Sequence, residues 1–506
     1  MKLFSSILAC LFFVFTSLQA QIFDGYALYN QVNQHTTYLI DKNGDIAYTW
    51  SLARPCNYAV LLKENGNLMR GAVKQGGNQI NGAAVGGLVQ EIDPQGDVVW
   101  EFEYSSSQYV THHDISLMPN GNVLLIAWEV KNSSELESRG FTGNANFRYA
   151  THIIEVAQDG TGGEIVWEWH IWDHMIQDVD ANKPNFGVVA EHPELLDINV
   201  PTSGMGPGGD WFHVNGIDYN PDLDQIVFSS RFLSEIFVID HSTTTEEAAG
   251  HTGGNSGKGG DFLYRWGNPS NYDTPGTQTI PGAVHDSRWI PDDGRARGGY
   301  IQFFNNEESW NTSTVDAIDP PFASDGINYE WVQGQAYGPT EATWRHICLD
   351  FASGQSASNS MPNGSTFVAL SGEYMYEVDK KGDLVWQYNA GPKKGFRYTC
   401  DYPGIQALIA QDILNDGFCP VIATEEIVEE SIRIFPNPSS GIFHVEGLSQ
   451  DQRVESVQVF DLLGNKIQEL ENVSVIDLSK QAAGIYFVTI LLNGGQLVSK
   501  KVSVVK

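Results

Sequence analysis

Short runs in which apolar and polar residues alternate fill this chain, and the spacing of an amphipathic helix is almost absent, so the pattern predicts strands joined by turns. One motif recurs six times: a β-branched or apolar residue, an acidic residue, a turn, then a strand ending in Trp. The copies run Ile40-Asp41 to Trp50, Ile92-Asp93 to Trp100, Val156 to Trp167, Ile239-Asp240 to Trp266, Ile318-Asp319 to Trp331 and Val378-Asp379 to Trp386. Asp-x-x-Gly-Asp at Asp41, Asp93 and Asp379 is hairpin-turn chemistry, and each copy predicts a β-hairpin. A further strand and second turn follow most copies, at Asn65-Gly66, Pro119-Asn120-Gly121, Pro221-Asp222, Pro291-Asp292 and Pro362-Asn363.

Four strands per repeat, at roughly 50 to 100 residues per repeat, fit a propeller better than a solenoid. The Trp residues are expected to pack between neighbouring blades. Three long insertions, Asp173 to Gly209, Ser242 to Gly260 and Asn306 to Ile327, are expected to shape one end, with the Gly-rich stretch Gly250 to Gly260 read as flexible. Composition changes near residue 420. An acidic linker at 421–431 leads to alternating strands at Phe443–Val445, Val454–Phe460, Val473–Ile476, Ile485–Leu491 and Leu497–Val505. The predicted fold is all-β: a six-bladed β-propeller over residues 21–420, followed by a small C-terminal β-sandwich over 432–506.

The N-terminus alters the compartment. Met1 and Lys2, the apolar run Leu3 to Leu18, and Leu18-Gln19-Ala20 read as a signal peptide of residues 1–20; the run is short for a span of about 20 residues. No later segment is apolar enough to span a bilayer, so no membrane span is expected in the mature chain. Against 29 Lys and Arg stand 62 Asp and Glu, a formal charge of −33, which argues against nucleic acid or anionic lipid as partner. Cys56, Cys348, Cys400 and Cys419 remain after cleavage; Cys400 with Cys419 is the favoured pair, and no spacing suggests a closed zinc site.

Thirteen histidines are scattered along the chain, but His113, His213, His285 and His346 sit at comparable points of successive repeats, on the strand before the second turn. In a propeller such positions converge on the central channel. Their contexts are Thr111-His112-His113-Asp114, Asp210-Trp211-Phe212-His213-Val214-Asn215 and Val284-His285-Asp286-Ser287-Arg288, with Ser229-Ser230-Arg231 between the last two. At these residues, in the order His, His, Arg, His, the chain resembles the bacterial arylsulfate sulfotransferases, six-bladed propellers that move a sulfuryl group between phenols without a nucleotide. The resemblance spans most of Gln21 to Cys419, including the insertion from Asp178-Val179-Asp180 to His192-Pro193-Glu194-Leu195.

The resemblance implies that His285 is the nucleophile, that His113, His213 and Arg231 hold the sulfuryl oxygens, and that no cofactor or metal is needed. His113 is also expected to protonate the leaving phenol, with tandem His112 competing for its place. His346, beside Arg345, is read as structural, and Asp114 and Asp286 as turn or core-capping groups. The residue types suit the chemistry: an imidazole is a nucleophile near neutral pH, and a guanidinium forks onto two sulfate oxygens. The implied partners are an aryl sulfate donor and a phenolic acceptor.

The last segment, with Ile434-Phe435-Pro436-Asn437-Pro438, Val459-Phe460-Asp461-Leu462-Leu463-Gly464, Gly484-Ile485-Tyr486 and Lys500-Lys501-Val502, resembles the C-terminal sorting domain of the type IX secretion system. That implies release outside the cell or display on its surface, by way of the periplasm and the type IX machinery. Two other readings compete: a secreted propeller that binds a glycan or protein without catalysis, and a quinone-dependent dehydrogenase, weakened by a different blade signature.

Overall fold

A computed structural model describes residues 23–76, 80–202, 209–274, 276–415, 419, 433–437, 439–446, 453–460, 466–471, 473–493 and 497–505. The expected signal peptide and linker lie outside the described residues. The chain divides into two compact units, within 1–421 and within 422–506.

The first unit is a ring of six four-stranded antiparallel sheets. Blade one is Gly25–Asn30, Thr36–Ile40 and Ile46–Ser51, and its innermost strand, Gly395–Thr399, arrives from the far end of the ring. Pairing first and last segments this way closes the circle and leaves no inner edge unpaired. In the other five blades the chain begins at the axis and works outward, the innermost strands being Cys56–Leu62, Tyr109–Leu117, Val214–Asn220, His285–Trp289 and Ala357–Ser360.

The repeated Asp fixes the outer turns. In blade one the Asp41 carboxylate accepts from the amides of Asn43 and Asp45 at 2.8 and 2.9 Å; Asp379 does the same for Lys381 and Asp383. Gly44 and Gly382 then turn through φ of 85° and 90°, where a side chain would strain the backbone. Five of the six Trp residues pack between blades as expected. Trp50 joins Leu28 and Leu39 to Val60 and Leu68, and Trp100 joins Met69 and Val89 to Ile115 and Leu125.

Trp331 is the exception. It lies in a loop, its Nε1 donating to the Gln335 carbonyl at 2.8 Å, and Trp344 occupies the outer strand Trp344–Ile347 in its stead. The third insertion is corrected with it. Residues 306–318 belong to the hairpin Ile301–Ser309 and Thr312–Ile318, so the inserted segment is 319–343. Both that segment and 241–263 interrupt the outer hairpin of a blade, at the end of the barrel opposite the histidines. Only 173–209, which joins blade three to blade four, opens on their side.

The Gly-rich stretch is held rather than loose. Asp240 accepts from the Ser256 amide at 2.8 Å, and a Cβ on Gly254 would come within 2.5 Å of that carboxylate. A helix, Pro403–Ala410, packs Ile405, Leu408 and Ile409 under blades one and two, and a Cys400–Cys419 disulfide follows it. Cys56 and Cys348 are free and buried. No helix among the described residues is long and apolar enough to cross a membrane.

The second unit is a two-sheet sandwich. Arg433–Phe435, Ile442–Glu446 and Val475–Asp477 form one sheet; Lys466–Glu471, Val454–Phe460, Gly484–Leu492 and Leu497–Val504 form the other. Inward residues Val457, Val459, Val488 and Ile490 fill its core. The strands at Arg433 and Lys466 were not anticipated, because charged residues break their alternation.

Candidate active site

Where the innermost strands of blades three, four and five enter the ring, each slips register against its neighbour. The slips fall between Thr111 and Ile115, Val214 and Gly216, and His285 and Arg288. Within the first and third slips a residue takes a left-handed backbone, with φ of 55° at His113 and 55° at Asp286, and His213, just ahead of its strand, does the same at 52°. Non-glycine residues adopt that region only when their surroundings impose it, and such bulges re-aim side chains beside functional sites. Here they bring three imidazoles together. The His113 and His213 rings lie 4.6 Å apart and the His213 and His285 rings 6.3 Å apart, all three nearly buried.

Each ring is held by its Nδ1. In His285 this atom faces two oxygens, the Ala283 carbonyl and Asn306 Oδ1, both at 2.7 Å. Asn306 presents its oxygen because its Nδ2 donates to the Ala352 and Gln355 carbonyls at 2.8 and 2.9 Å. Nδ1 of His285 must therefore carry the proton, and Nε2 keeps the lone pair. In His213, Nδ1 meets the buried Asp210 carboxylate at 2.6 Å; in His113 it meets Nδ1 of His112 at 2.7 Å. Nε2 of all three rings is buried without a partner, which is costly unless a ligand completes it.

Arg231 follows its strand directly, and its amide donates to the His213 carbonyl at 3.1 Å while Nη2 reaches the Ser353 carbonyl at 3.3 Å. A cavity of about 410 Å³ leads to His213 and Arg231 between Asn81, Gly82, Ala83 and Phe232. Burial first, then the charges of His213 and Arg231, hold the His285 imidazole well below its ordinary value. Burial first, then the neighbouring imidazoles and Lys394, do the same for His113.

The structure brings His113, His213, His285 and Arg231 together and leaves His346, expected at a comparable point, apart from them. His346 lies on the outer strand of blade five, its Nε2 3.0 Å from the Tyr376 hydroxyl. The missing repeat Trp had shifted the count of strands there. Asp114 and Asp286 are not turn groups. They meet at the axis beyond the histidines, where Lys394 Nζ bridges them at 2.6 and 2.7 Å and Arg288 pairs with both. This knot ties blades one, three and five together.

Asp210 and Asn306 were missed as partners. Asp210 stands three residues before His213 and could have been suspected from spacing. Asn306 is legible only from the cross-strand register. Asn215 likewise escaped notice: its Nδ2 holds the Val284 carbonyl at 2.8 Å, just ahead of His285.

The family model for arylsulfotransferase (ASST) matches residues 11–330, a span that includes His113, His213, Arg231, His285 and Asn306. The chain belongs to the arylsulfotransferase family. In general terms it is therefore an aryl sulfotransferase. Residues 433–505 match the secretion system C-terminal sorting domain, which directs this arylsulfotransferase to the cell surface or beyond.

No curated protein sequence matches the chain significantly. Among solved structures it is similar to the Dos1 propeller at 10% identity and a TM-score of 0.32, over 96% of this chain and 93% of that one. A Lactobacillus plantarum protein gives 10% and 0.37, over 90% and 99%. PorZ, described as a surface component of the type-IX secretion system of Porphyromonas gingivalis, gives 9% and 0.19, over 96% and 75%.

Proposed function

We propose that this arylsulfotransferase moves a sulfuryl group from an aryl sulfate to a phenolic acceptor through a covalent intermediate on Nε2 of His285. The observation that carries this reading is the doubly accepted Nδ1–H of His285, which leaves Nε2 as a neutral, buried nucleophile. In the first step the Nε2 lone pair attacks sulfur and the S–O bond to the aryl group breaks, its electron pair leaving on the phenolic oxygen. Positive charge develops on the ring as the N–S bond forms. The oxygens of Ala283 and Asn306 stabilise it through Nδ1–H.

Arg231 and Nε2–H groups of His213 and His113 are placed to receive the sulfuryl oxygens. The proton for the departing phenol is assigned to His213 rather than His113. His213 has a buried carboxylate on Nδ1 that would offset charge on its ring, whereas burial holds the His113 pKa well below its ordinary value, leaving that ring to donate a hydrogen bond only. In the second step an acceptor phenol attacks sulfur, the N–S bond breaks, and its electron pair returns to Nε2; the acceptor's proton passes to His213.

The deciding experiment incubates purified protein with 4-nitrophenyl sulfate, with and without phenol. Wild type should release nitrophenol faster when phenol is added, and His285→Ala should lose turnover on the order of 10³-fold or more. Release that persists in His285→Ala overturns the assignment; none from folded wild type points to a binding propeller.

A further inference from the structure

Blade three carries a second group of histidines unconnected with the sulfuryl site. His152 on Phe147–Asp159 and His170 on Gly162–His170 are cross-strand partners, and Glu168 shares their face two residues before His170. Both Nε2 atoms lie near one carboxylate oxygen, Glu168 Oε2 being 3.3 Å from His152 and 3.7 Å from His170, and the two rings stack with centroids 3.9 Å apart. The other ring nitrogens are occupied. Nδ1 of His152 meets the Tyr104 hydroxyl at 3.2 Å, and Nδ1 of His170 meets Glu129 Oε1 at 3.2 Å, while Lys131 holds the second Glu129 oxygen at 2.8 Å.

This arrangement differs from an ordinary hydrogen-bonded cluster. An imidazole that ligates a metal has its remote nitrogen held by a carboxylate or hydroxyl, which sets its tautomer and aims its lone pair. A tetrahedral ion with bonds of about 2.0–2.1 Å spaces its ligand atoms about 3.3 Å apart, close to the two separations from Glu168, and all three candidate atoms lie within 4.8 Å of one another. Two nitrogens and one carboxylate oxygen suit a first-row cation such as zinc, and suit calcium or magnesium poorly because those prefer oxygen alone. The neighbouring trio of His174, His251 and Asp261 lacks this character. Both nitrogens of His174 are already bonded, to Asp261 Oδ1 at 2.7 Å and the Ala248 carbonyl at 2.8 Å.

We propose that His152 Nε2, His170 Nε2 and Glu168 Oε2 bind one zinc-class divalent cation, with a fourth position open toward solvent beside the part-exposed Glu168 and His170. The ion clamps the two outer strands of blade three where the insertion 173–209 begins.

The test uses purified full-length protein stripped with EDTA and dialysed against zinc chloride, with zinc per chain measured by mass spectrometry of the metal and affinity by competition with a chromophoric chelator. Wild type should hold one zinc and melt at a higher temperature with it. His170→Ala and Glu168→Gln should lose stoichiometric uptake and the thermal shift, Tyr104→Phe should bind about 10-fold more weakly, and His251→Ala should bind as wild type does. Should His170→Ala fail to fold, Glu168→Gln, nearly the same shape on the surface, decides alone. Uptake unchanged in Glu168→Gln, or no stoichiometric zinc in wild type, overturns the proposal.

Discussion

A histidine is useful in this site only through what its other nitrogen touches. Asp210 sets the tautomer and offsets charge on His213, so Asp210→Asn should keep the fold and cut kcat by about 10²–10⁴-fold, as loss of a histidine's orienting carboxylate does elsewhere. The same logic fixes the pH profile. His285 attacks only when Nε2 is unprotonated, and its folded value lies well below 6.5. Activity should therefore be retained as pH falls through 6.5 and lost only at the depressed value. An acid limb of kcat/KM at or above pH 6.5 would contradict the neutral buried nucleophile. Residue types announced His113, His213, His285 and Arg231 in the sequence; the Nδ1 partners did not announce themselves, because a hydrogen-bond acceptor is too common a residue to single out without coordinates.

Blades are held to each other by apolar faces and by a few buried polar clamps. Between blades three and four, His241 lies between Glu155 Oε2 at 2.9 Å and Asp224 Oδ1 at 2.8 Å. Burial pulls its pKa down, but the bonds to Asp224 and Glu155 outweigh that and push it up to about 9. Because the folded value exceeds the unfolded one near 6.5, the clamp stabilises fully below about pH 6.5 and is lost as pH rises through about 9. The unfolding free energy from urea titration should fall by roughly 2–3 kcal/mol more in wild type than in His241→Gln between pH 6.5 and 10. Equal slopes in the two proteins would remove the clamp. Elements with strict alternation and an Asp-x-x-Gly-Asp turn were legible in advance. Trp331 and residues 306–318 were misread because a 25-residue loop inside a hairpin separates the Trp from its strand, and spacing cannot distinguish that from an insertion beside the strand.

At the scale of the whole molecule, the ring depends on Gly395–Thr399 returning to blade one, and the Cys400–Cys419 bond secures the segment just beyond it. A loop of this length confers about 3 kcal/mol in the chain-entropy account. The double variant Cys400→Ser, Cys419→Ser should lose about that much stability, read from urea unfolding, while its turnover at 25 °C stays near wild type. The sandwich is a separate compact unit, so deletion of 433–506 should leave purified activity intact and keep the protein from reaching the cell surface or medium. Activity lost with the deletion would mean that the sandwich does more than sort.

Taken alone, the sequence determined the strand class, the repeat and the sandwich, because alternation and turn residues are local properties of the chain, and it singled out His113, His213, His285 and Arg231 as candidates by their recurrence and their resemblance to a known family. Tertiary structure decided which of them meet. The bulge that holds His113, the left-handed turn at His213, the asparagine that fixes His285, the ion knot of Asp114, Asp286, Arg288 and Lys394, and the exclusion of His346 all depend on contacts between segments far apart in sequence. A one-residue slip reverses the face a side chain occupies, and no local pattern encodes where such a slip occurs.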